Sequence, residues 1–225
     1  MKRILALAAA CLMLAACTTT NVRSASGLPA APPKEARILL VQPDIELSLL
    51  TVAGLLEPRA DWTTSGRANI ASAVEATLRD KAHSFTALDP STAMEGRNGQ
   101  LLRLHGAVGQ SIQWFGHLPT KKGSFDWTLG GGARTLGETY DADYALFVYG
   151  RGSYSSGARV AAMIGMAALG VSIPMGSQQV FASLVDLKTG QVVWFNQSLA
   201  GPGADMRTPE GAALLTESML KGLPL

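Results

Sequence analysis

The N-terminal segment of this 225-residue chain is the feature that most constrains which residues can belong to the folded domain. Lys2 and Arg3 give it a cationic start, an apolar core runs from Ile4 to Leu14, and small residues close it. This order is typical of a secretory signal that is removed after export. The core is too short to cross a bilayer, because a spanning helix needs about 20 apolar residues. We therefore expect residues 1–16 to be cleaved as a signal peptide.

The end of this segment, Leu14-Ala15-Ala16-Cys17, resembles the lipobox of bacterial lipoproteins. The resemblance implies that the thiol of Cys17 receives a diacylglyceryl group, that the preceding peptide bond is cut, and that the new amino group is acylated, for example with palmitate. An ordinary signal that happens to contain a cysteine is the alternative. Thr18 stands where an Asp would signal retention at the inner membrane. The resemblance therefore implies an outer-membrane location facing the periplasm.

Removal of Lys2 and Arg3 takes the 19 basic residues down to 17, which equals the 17 acidic residues. A formally neutral mature chain without a basic run argues against nucleic acid as a partner, because that affinity rests on Lys and Arg neutralising phosphates. Cys11 leaves with the signal, so Cys17 is the one cysteine of the mature chain. Neither a disulfide nor a cysteine-based metal site is expected.

The mature chain divides into a tether and one domain. Residues 17–35 are rich in Thr, Ser, Ala and Pro without periodicity, which predicts a lipidated, flexible tether. Residues 36–225 are enough for a single globular domain with a substantial core.

The first half of the domain alternates predicted strands and helices. Residues 37–41 form a continuous apolar run, which predicts a strand buried on both faces. Apolar residues at every fourth position predict a helix over 66–81. A short strand over 84–88, a second helix around His105, a third, weaker helix before Asp143 and a central strand over 144–149 follow.

The C-terminal part predicts a hairpin and a helix. Residues 179–187 and 191–198 are two strand-like runs joined by Lys188-Thr189-Gly190, where glycine can adopt the positive φ of a tight turn. Thr208 and Pro209 then predict the start of a last helix. The fold class predicted is α/β (α+β), a mixed β-sheet with helices packed against it and a C-terminal antiparallel hairpin and helix.

Several of these features resemble bacterial envelope lipoproteins with a TolB-N-terminal-domain-like fold, the superfamily of CsgG and LpoB. The features are the lipobox, the opening strand, Asp141-Ala142-Asp143-Tyr144 before a central strand that ends in Gly150, and the hairpin LVDLKTGQVVWFNQ over 184–197. The resemblance implies assembly, secretion or regulatory roles through binding of other envelope proteins. It implies no catalytic residues and no cofactor.

An apolar insert over 151–177 departs from the plain version of that fold. Its first part is polar and predicts a flexible loop, whereas residues 160–171 predict a helix. Gly157, Ala161 and Gly165 are spaced four apart, so one helical face carries small side chains that permit close helix approach. The helix either packs on its own sheet or makes an oligomer or membrane contact.

No catalytic motif is found in the sequence. The serines lack G-x-S-x-G, and neither glycine-rich nucleotide-binding pattern occurs. His83, His105 and His117 are too scattered for H-E-x-x-H, and His105 falls on an apolar helical face. Glu138, Asp141 and Asp143 cluster, but Ca²⁺ takes six or more oxygen ligands, so solvated carboxylates are favoured over a metal site.

Aromatic residues supply the remaining candidates for partner contacts. Trp62, Trp114 and Trp127 are either interface anchors or partly buried residues. The resulting hypothesis is a lipid-anchored, non-enzymatic protein-binding scaffold or accessory factor in envelope assembly, secretion or cell-wall regulation. Its possible contacts are Gly157, Ala161, Gly165, Trp62 and Trp127. The alternatives are a ring- or pore-forming secretion lipoprotein, which would be a homo-oligomer, and a hydrolase with a dispersed active site.

Overall fold

A computed structural model describes residues 19–25, 32–93, 95–115, 124–201 and 204–225. Eight strands and five α-helices are found in these ranges. The strands are β1 (Thr19–Ser24), β2 (Ile38–Val41), β3 (Asp44–Leu50), β4 (Leu56–Pro58), β5 (Phe85–Leu88), β6 (Tyr144–Ser155), β7 (Gln178–Asp186) and β8 (Val192–Leu199). The helices are α1 (Ala60–Asp80), α2 (Gly96–Phe115), α3 (Arg134–Tyr140), α4 (Gly157–Ala167) and α5 (Pro209–Met219).

All eight strands belong to one mixed sheet, which confirms the predicted fold class. The main order is β1-β8-β7-β6-β2-β5, and β3 pairs with both β4 and β6. β2 is parallel to β5 and to the first part of β6, whereas β3 is parallel to the last part of β6. β7 and β8 form the predicted antiparallel hairpin, with Gly190 at φ 79° in its turn. β6 is therefore the central strand, and it is long enough to hold two partners in succession.

The sheet is covered on both faces, which explains why β2 is apolar throughout. Ile38 and Leu40 point to one core, and Leu39 and Val41 point to the other. α1 and α5 cover the first face, where Ile70, Val74, Leu78, Leu215 and Met219 are buried. α2 and α3 cover the second face, where Leu101, Ile112 and Leu136 are buried against Phe147, Phe181 and Phe195. The result is a helix–sheet–helix sandwich.

The prediction of a flexible tether over residues 17–35 is wrong in part, because residues 19–24 form β1. This strand pairs antiparallel with β8 from Thr19 opposite Leu199 to Ser24 opposite Trp194. Thr19, Thr20 and Val22 are β-branched and suit an edge strand, although the surrounding composition favours a linker. The free backbone edge of β8 supplies a partner that composition cannot reveal. Cys17 and residues 26–31 lie outside the described residues.

The predicted flexible loop at the start of the insert is also wrong. Residues 151–155 continue β6, and they pair with Glu46–Leu50 of β3. The glycines that suggest a loop serve a close approach instead. A Cβ on Gly150 would lie 2.7 Å from Ile45 Cδ1, and one on Gly152 would lie 2.7 Å from Leu47 Cδ2. The predicted helix over 66–81 is confirmed but begins earlier, at Ala60.

Candidate interaction surface

The insert forms a short helix at the end of β6. Ser156 caps α4 by accepting a hydrogen bond from the Arg159 backbone N–H at 3.2 Å. Residues 168–177 then return the chain to β7, and the Ser153 N–H donates to the Ser177 carbonyl at 2.8 Å, which closes the base of the insert. α4 is thus held at both ends while its length lies outside the sheet.

The turn between β3 and β4 lies beside the base of α4. Leu50 of β3 is paired with Ser155 of β6, and the next residue, Ser156, donates its N–H to the Leu50 carbonyl at 2.9 Å. Thr51 closes the turn, since its N–H donates to the Leu55 carbonyl at 2.9 Å. Two chain segments that are about a hundred residues apart therefore emerge from the sheet at the same end.

Arg159 links these two segments. Its side chain is buried, and its guanidinium donates to the Thr51 carbonyl at 3.1 Å and to the Pro174 carbonyl at 2.8 and 3.2 Å. Arg159 is also the only charged residue between Arg151 and Asp186 in the sequence. The one charged side chain within residues 152–177 is thus engaged in internal hydrogen bonds.

The side chains around this link are apolar and exposed. We call this surface the apolar end, and its members lie in the β3–β4 turn, at the start of β4 and in the insert: Val52, Leu55, Leu56, Val160, Ile164, Leu169, Val171 and Met175. Leu55, Ile164 and Leu169 have 67%, 70% and 76% of their surface exposed. No Asp, Glu, Lys or Arg lies between Glu46 and Glu57. Exposed apolar side chains gathered at one end of a domain mark an interaction site.

α2 points toward the same end. His105 stacks on Phe147 with ring centroids 3.7 Å apart, and five residues later Gln110 donates to the Tyr149 hydroxyl at 3.0 Å. The helix therefore advances in the same direction as β6. Its last two residues are exposed aromatics, Trp114 and Phe115.

The structure places the predicted contact residues in different surroundings. Gly157, Ala161 and Gly165 are exposed on α4, and a Cβ on either glycine would meet nothing within 4 Å. Of the two alternatives for this helix, packing on its own sheet does not occur through this face. The sheet is already covered on both faces by the other four helices, which leaves α4 outside the sandwich.

The two candidate tryptophans are far apart in the fold. Trp62, in the first turn of α1, is half-buried between the guanidinium groups of Arg59 and Arg207, at 4.3 and 4.6 Å from its ring centroid, and it meets Tyr154 edge-on. Trp127 is partly buried against the second core, and its carbonyl accepts a hydrogen bond from the Val192 N–H at 2.9 Å. Trp62 thus lies near the apolar end, and Trp127 lies near the β7–β8 turn.

The opposite end of the sheet is charged. A cleft of about 830 Å³ opens there beside Asp141, Asp143 and Asp186. The Arg37 backbone N–H donates to Asp143 Oδ2 at 2.9 Å, which with the Arg37 side chain holds the pKa of Asp143 below its usual range. Arg37 also pairs with Asp141. These two carboxylates therefore stabilise the start of β6, and the described residues contain no cluster of three or more His, Cys, Asp or Glu able to hold a metal.

His105 is buried rather than positioned for acid–base chemistry. Its Nε2 lies 2.6 Å from Ser183 Oγ, and burial lowers its pKa to about 3. A cleft of about 670 Å³ passes beside it at the ends of β2 and β5, between side chains that include Arg67, Asp89 and Arg151. Ser183 is buried within β7, so this hydroxyl is not exposed to a substrate.

Comparisons with known proteins give only distant similarity. No protein-family profile and no curated protein matches the chain. The PelC dodecamer from Paraburkholderia phytofirmans is 13% identical over 92% of this chain and 99% of that chain, with a TM-score of 0.43. Lipoprotein GNA1162 from Neisseria meningitidis is 15% identical, with coverages of 74% and 84% and a TM-score of 0.34. The LpoB C-terminal domain from Salmonella enterica is 14% identical, with coverages of 79% and 87% and a TM-score of 0.29. TM-scores below 0.5 are too low for these likenesses to support a statement about function.

The β3–β4 turn is the part of the surface that the sequence prediction missed. Ile45, Leu47 and Leu49 alternate with Glu46 and Ser48, which is the period of a strand with one buried face. That signal could have identified β3. The described helices include none that is both long enough and apolar enough to cross a membrane, and α4 in particular has 11 residues.

Proposed function

We propose that this chain is a lipid-anchored accessory protein of the bacterial outer membrane that faces the periplasm and acts by binding other envelope components, proteins among them, rather than by catalysis. The apolar end is the observation that carries this proposal. It combines eight exposed apolar side chains on two segments, residues 47–56 and 152–177, and their one charged residue, Arg159, fixes the segments to each other. A soluble domain gains nothing from such a surface unless a partner covers it.

The surroundings of the ionisable groups support binding over catalysis. A general acid or base needs a pKa near the working pH and access to substrate. His105 is buried with a pKa of about 3, and Asp143 is engaged by Arg37. Asp205 forms a two-point ion pair with Arg207, which stacks on Tyr154 at 3.7 Å. These ionisable groups therefore stabilise the fold through the contacts described.

Gly157, Ala161 and Gly165 belong to the proposed contact surface. They lie on the exposed side of α4, where a partner could approach its backbone closely. Trp62 is a candidate for the rim of the same surface because its cation–π stack lies beside Tyr154 near the end of β6. Trp127 would belong to a separate contact.

Acylation is tested by a Cys17→Ser variant expressed in its native envelope. We expect the parent chain to take up labelled palmitate and to fractionate with outer membranes, and the variant to lose both properties. Palmitate retained by Cys17→Ser would overturn the anchor assignment.

Binding at the apolar end is tested by photo-crosslinking in cells. A photoreactive amino acid placed at Leu169 should give discrete adducts with envelope components, and the same amino acid at Lys188, at the opposite end, is the matched control. Adducts formed equally from both positions, or only from Lys188, would contradict the assignment of the surface.

A further inference from the structure

The strand register shows at which end of the domain the chain enters. Thr19 of β1 is opposite Leu199 of β8, Leu199 is opposite Gln179 of β7, and Gln179 is opposite Arg151 of β6. β6 then continues to Ser155, and α4 begins two residues later, at Gly157. The beginning of β1 therefore lies at the same end of the sheet as the apolar end.

The distances involved are short. Cys17 precedes Thr19 by two residues, which can span at most about 7 Å of extended chain. β1 and β6 are three strand spacings apart, or about 14 Å, and Arg151, which is level with Thr19, lies four residues or about 13 Å before the end of β6. Because β1 belongs to the sheet, the lipid on Cys17 is joined to the domain without the long slack that a tether over residues 17–35 would give. The acyl chains must enter the bilayer close to the apolar end.

The chemistry of the apolar end fits a lipid surface. α4 is about 16 Å long, too short to cross the hydrocarbon layer, and its segment from Val160 to Ser177 contains no charged residue. Apolar side chains of a membrane-bound segment are buried about 5–10 Å deep, at the boundary between headgroups and acyl chains. Trp114 and Phe115 are exposed at the end of α2, which advances toward the same end of the sheet, and aromatic residues favour that boundary.

We propose that the apolar end is a membrane-contact face, on which α4 and the β3–β4 turn rest in the interfacial layer of the bilayer that holds the Cys17 acyl chains. This assignment rests on the proposed lipid anchor and names the partner of the proposed surface. The acyl chains hold the protein on the membrane, and the apolar end sets its orientation. The charged end with Arg37, Asp141 and Asp143 then points into the periplasm.

The orientation is tested with the full acylated lipoprotein in vesicles of phosphatidylethanolamine and phosphatidylglycerol. With Cys17 acylated, Ile164→Cys and Lys188→Cys variants each offer a single thiol for an environment-sensitive dye. We expect lipids that carry a quencher near the headgroup to quench the dye at residue 164 and to leave the dye at residue 188 unquenched. Equal quenching at both positions, or quenching at neither, would overturn the proposal.

Two further measurements separate the possible failures. The intact mass of the same sample reports acylation. An unmodified Cys17 would contradict the proposed anchor, whereas an acylated chain without quenching would contradict only the membrane-contact face. Disulfide-linked pairs through Ile164→Cys without quenching would show that a second copy covers the surface. In the Cys17→Ser background, Ile164→Asp with Leu169→Asp should weaken vesicle binding at least ~10-fold, since each buried apolar side chain is worth about that factor. Unchanged vesicle binding would contradict the assignment of the apolar end as the membrane-contact face.

Discussion

α1 and α4 are both helices with apolar residues, and they have opposite fates in this fold. α1 buries Ile70, Val74 and Leu78 completely against the sheet, whereas α4 leaves Ile164 70% exposed. Periodicity accounts for α1, because its polar residues occupy the other face. α4 is apolar on nearly every side and is fixed by Arg159 at its base. The apolar residues of a helix therefore predict that a partner will bury it. Whether that partner belongs to the same chain depends on whether the sheet still has an uncovered face.

The sharpest way to break this comparison is to shorten the same residue type in both helices. Ile70→Ala should lower the free energy of unfolding by about 2–5 kcal/mol, because it leaves a cavity in the core. Ile164→Ala should change it by no more than about 0.5 kcal/mol, as exposed positions do. Urea denaturation of both variants without the lipid measures this. An equally large loss for Ile164→Ala would mean that α4 packs on its own domain.

Lowering the pH should reduce the free energy of unfolding of the domain, because the His105 side chain is buried beneath α2 in its neutral form. The pKa of His105 is about 3 in the folded state and near 6.5 when unfolded, so the unfolded chain binds the extra proton between those values. Stability from this group is complete above pH 6.5 and falls by about 1.4 kcal/mol for each pH unit below it, toward pH 3. Denaturation curves at pH 7 and pH 5 should show the loss, and a His105→Gln variant should show a smaller one. An unchanged slope in that variant would contradict the buried neutral state.

A third comparison uses glycines in α2 and α4. A Cβ on Gly109 would lie 2.5 Å from Phe181 Cε2, so Gly109→Ala should destabilise the domain by about 1–3 kcal/mol. Nothing lies within 4 Å of a Cβ on Gly165, and Gly165→Ala should stabilise α4 by up to about 1 kcal/mol through higher helix propensity. Thermal melts of the two variants should move in opposite directions. A matching decrease for Gly165→Ala would show a close contact on that face.

The smallest expected effect concerns how α4 is held. Arg159→Leu removes the hydrogen bonds to the Thr51 and Pro174 carbonyls and should loosen α4 and the β3–β4 turn without unfolding the sandwich. Hydrogen exchange should speed up in residues 157–175 and remain slow in α1. Arg159→Lys, which keeps the charge but not the three-bond geometry, should show part of the effect. Equal protection in all three proteins would remove Arg159 from this role.

The elements that could be predicted from the sequence are those that carry their own pattern. β2 is apolar at every position, α1 repeats Ile70, Val74 and Leu78, and the β7–β8 hairpin has Gly190 at its turn. Thr208 caps α5 with Pro209 in its first turn, as predicted, and its hydroxyl accepts from the Gly211 N–H at 3.1 Å. In these cases local chemistry and burial favour the same structure.

The elements that could not be predicted depend on a partner distant in the sequence. β1 exists because β8 has an open edge, and residues 151–155 are a strand because β3 lies beside them. The candidate surface has the same origin. Gly157, Ala161 and Gly165 can be recognised on the insert from its spacing of small residues, but Leu55 and Leu56 come to the same end of the sheet only through the pairing of Leu50 with Ser155.

Neutron reflectometry of the acylated protein on a supported bilayer tests the central claim most directly, namely that the domain is fastened to the membrane at its apolar end. Because β1 begins two residues after Cys17, the protein layer should start within the headgroup region, with no hydrated gap between lipid and domain. A gap of about 20 Å or more, the reach of a flexible linker of some 15 residues, would contradict the account.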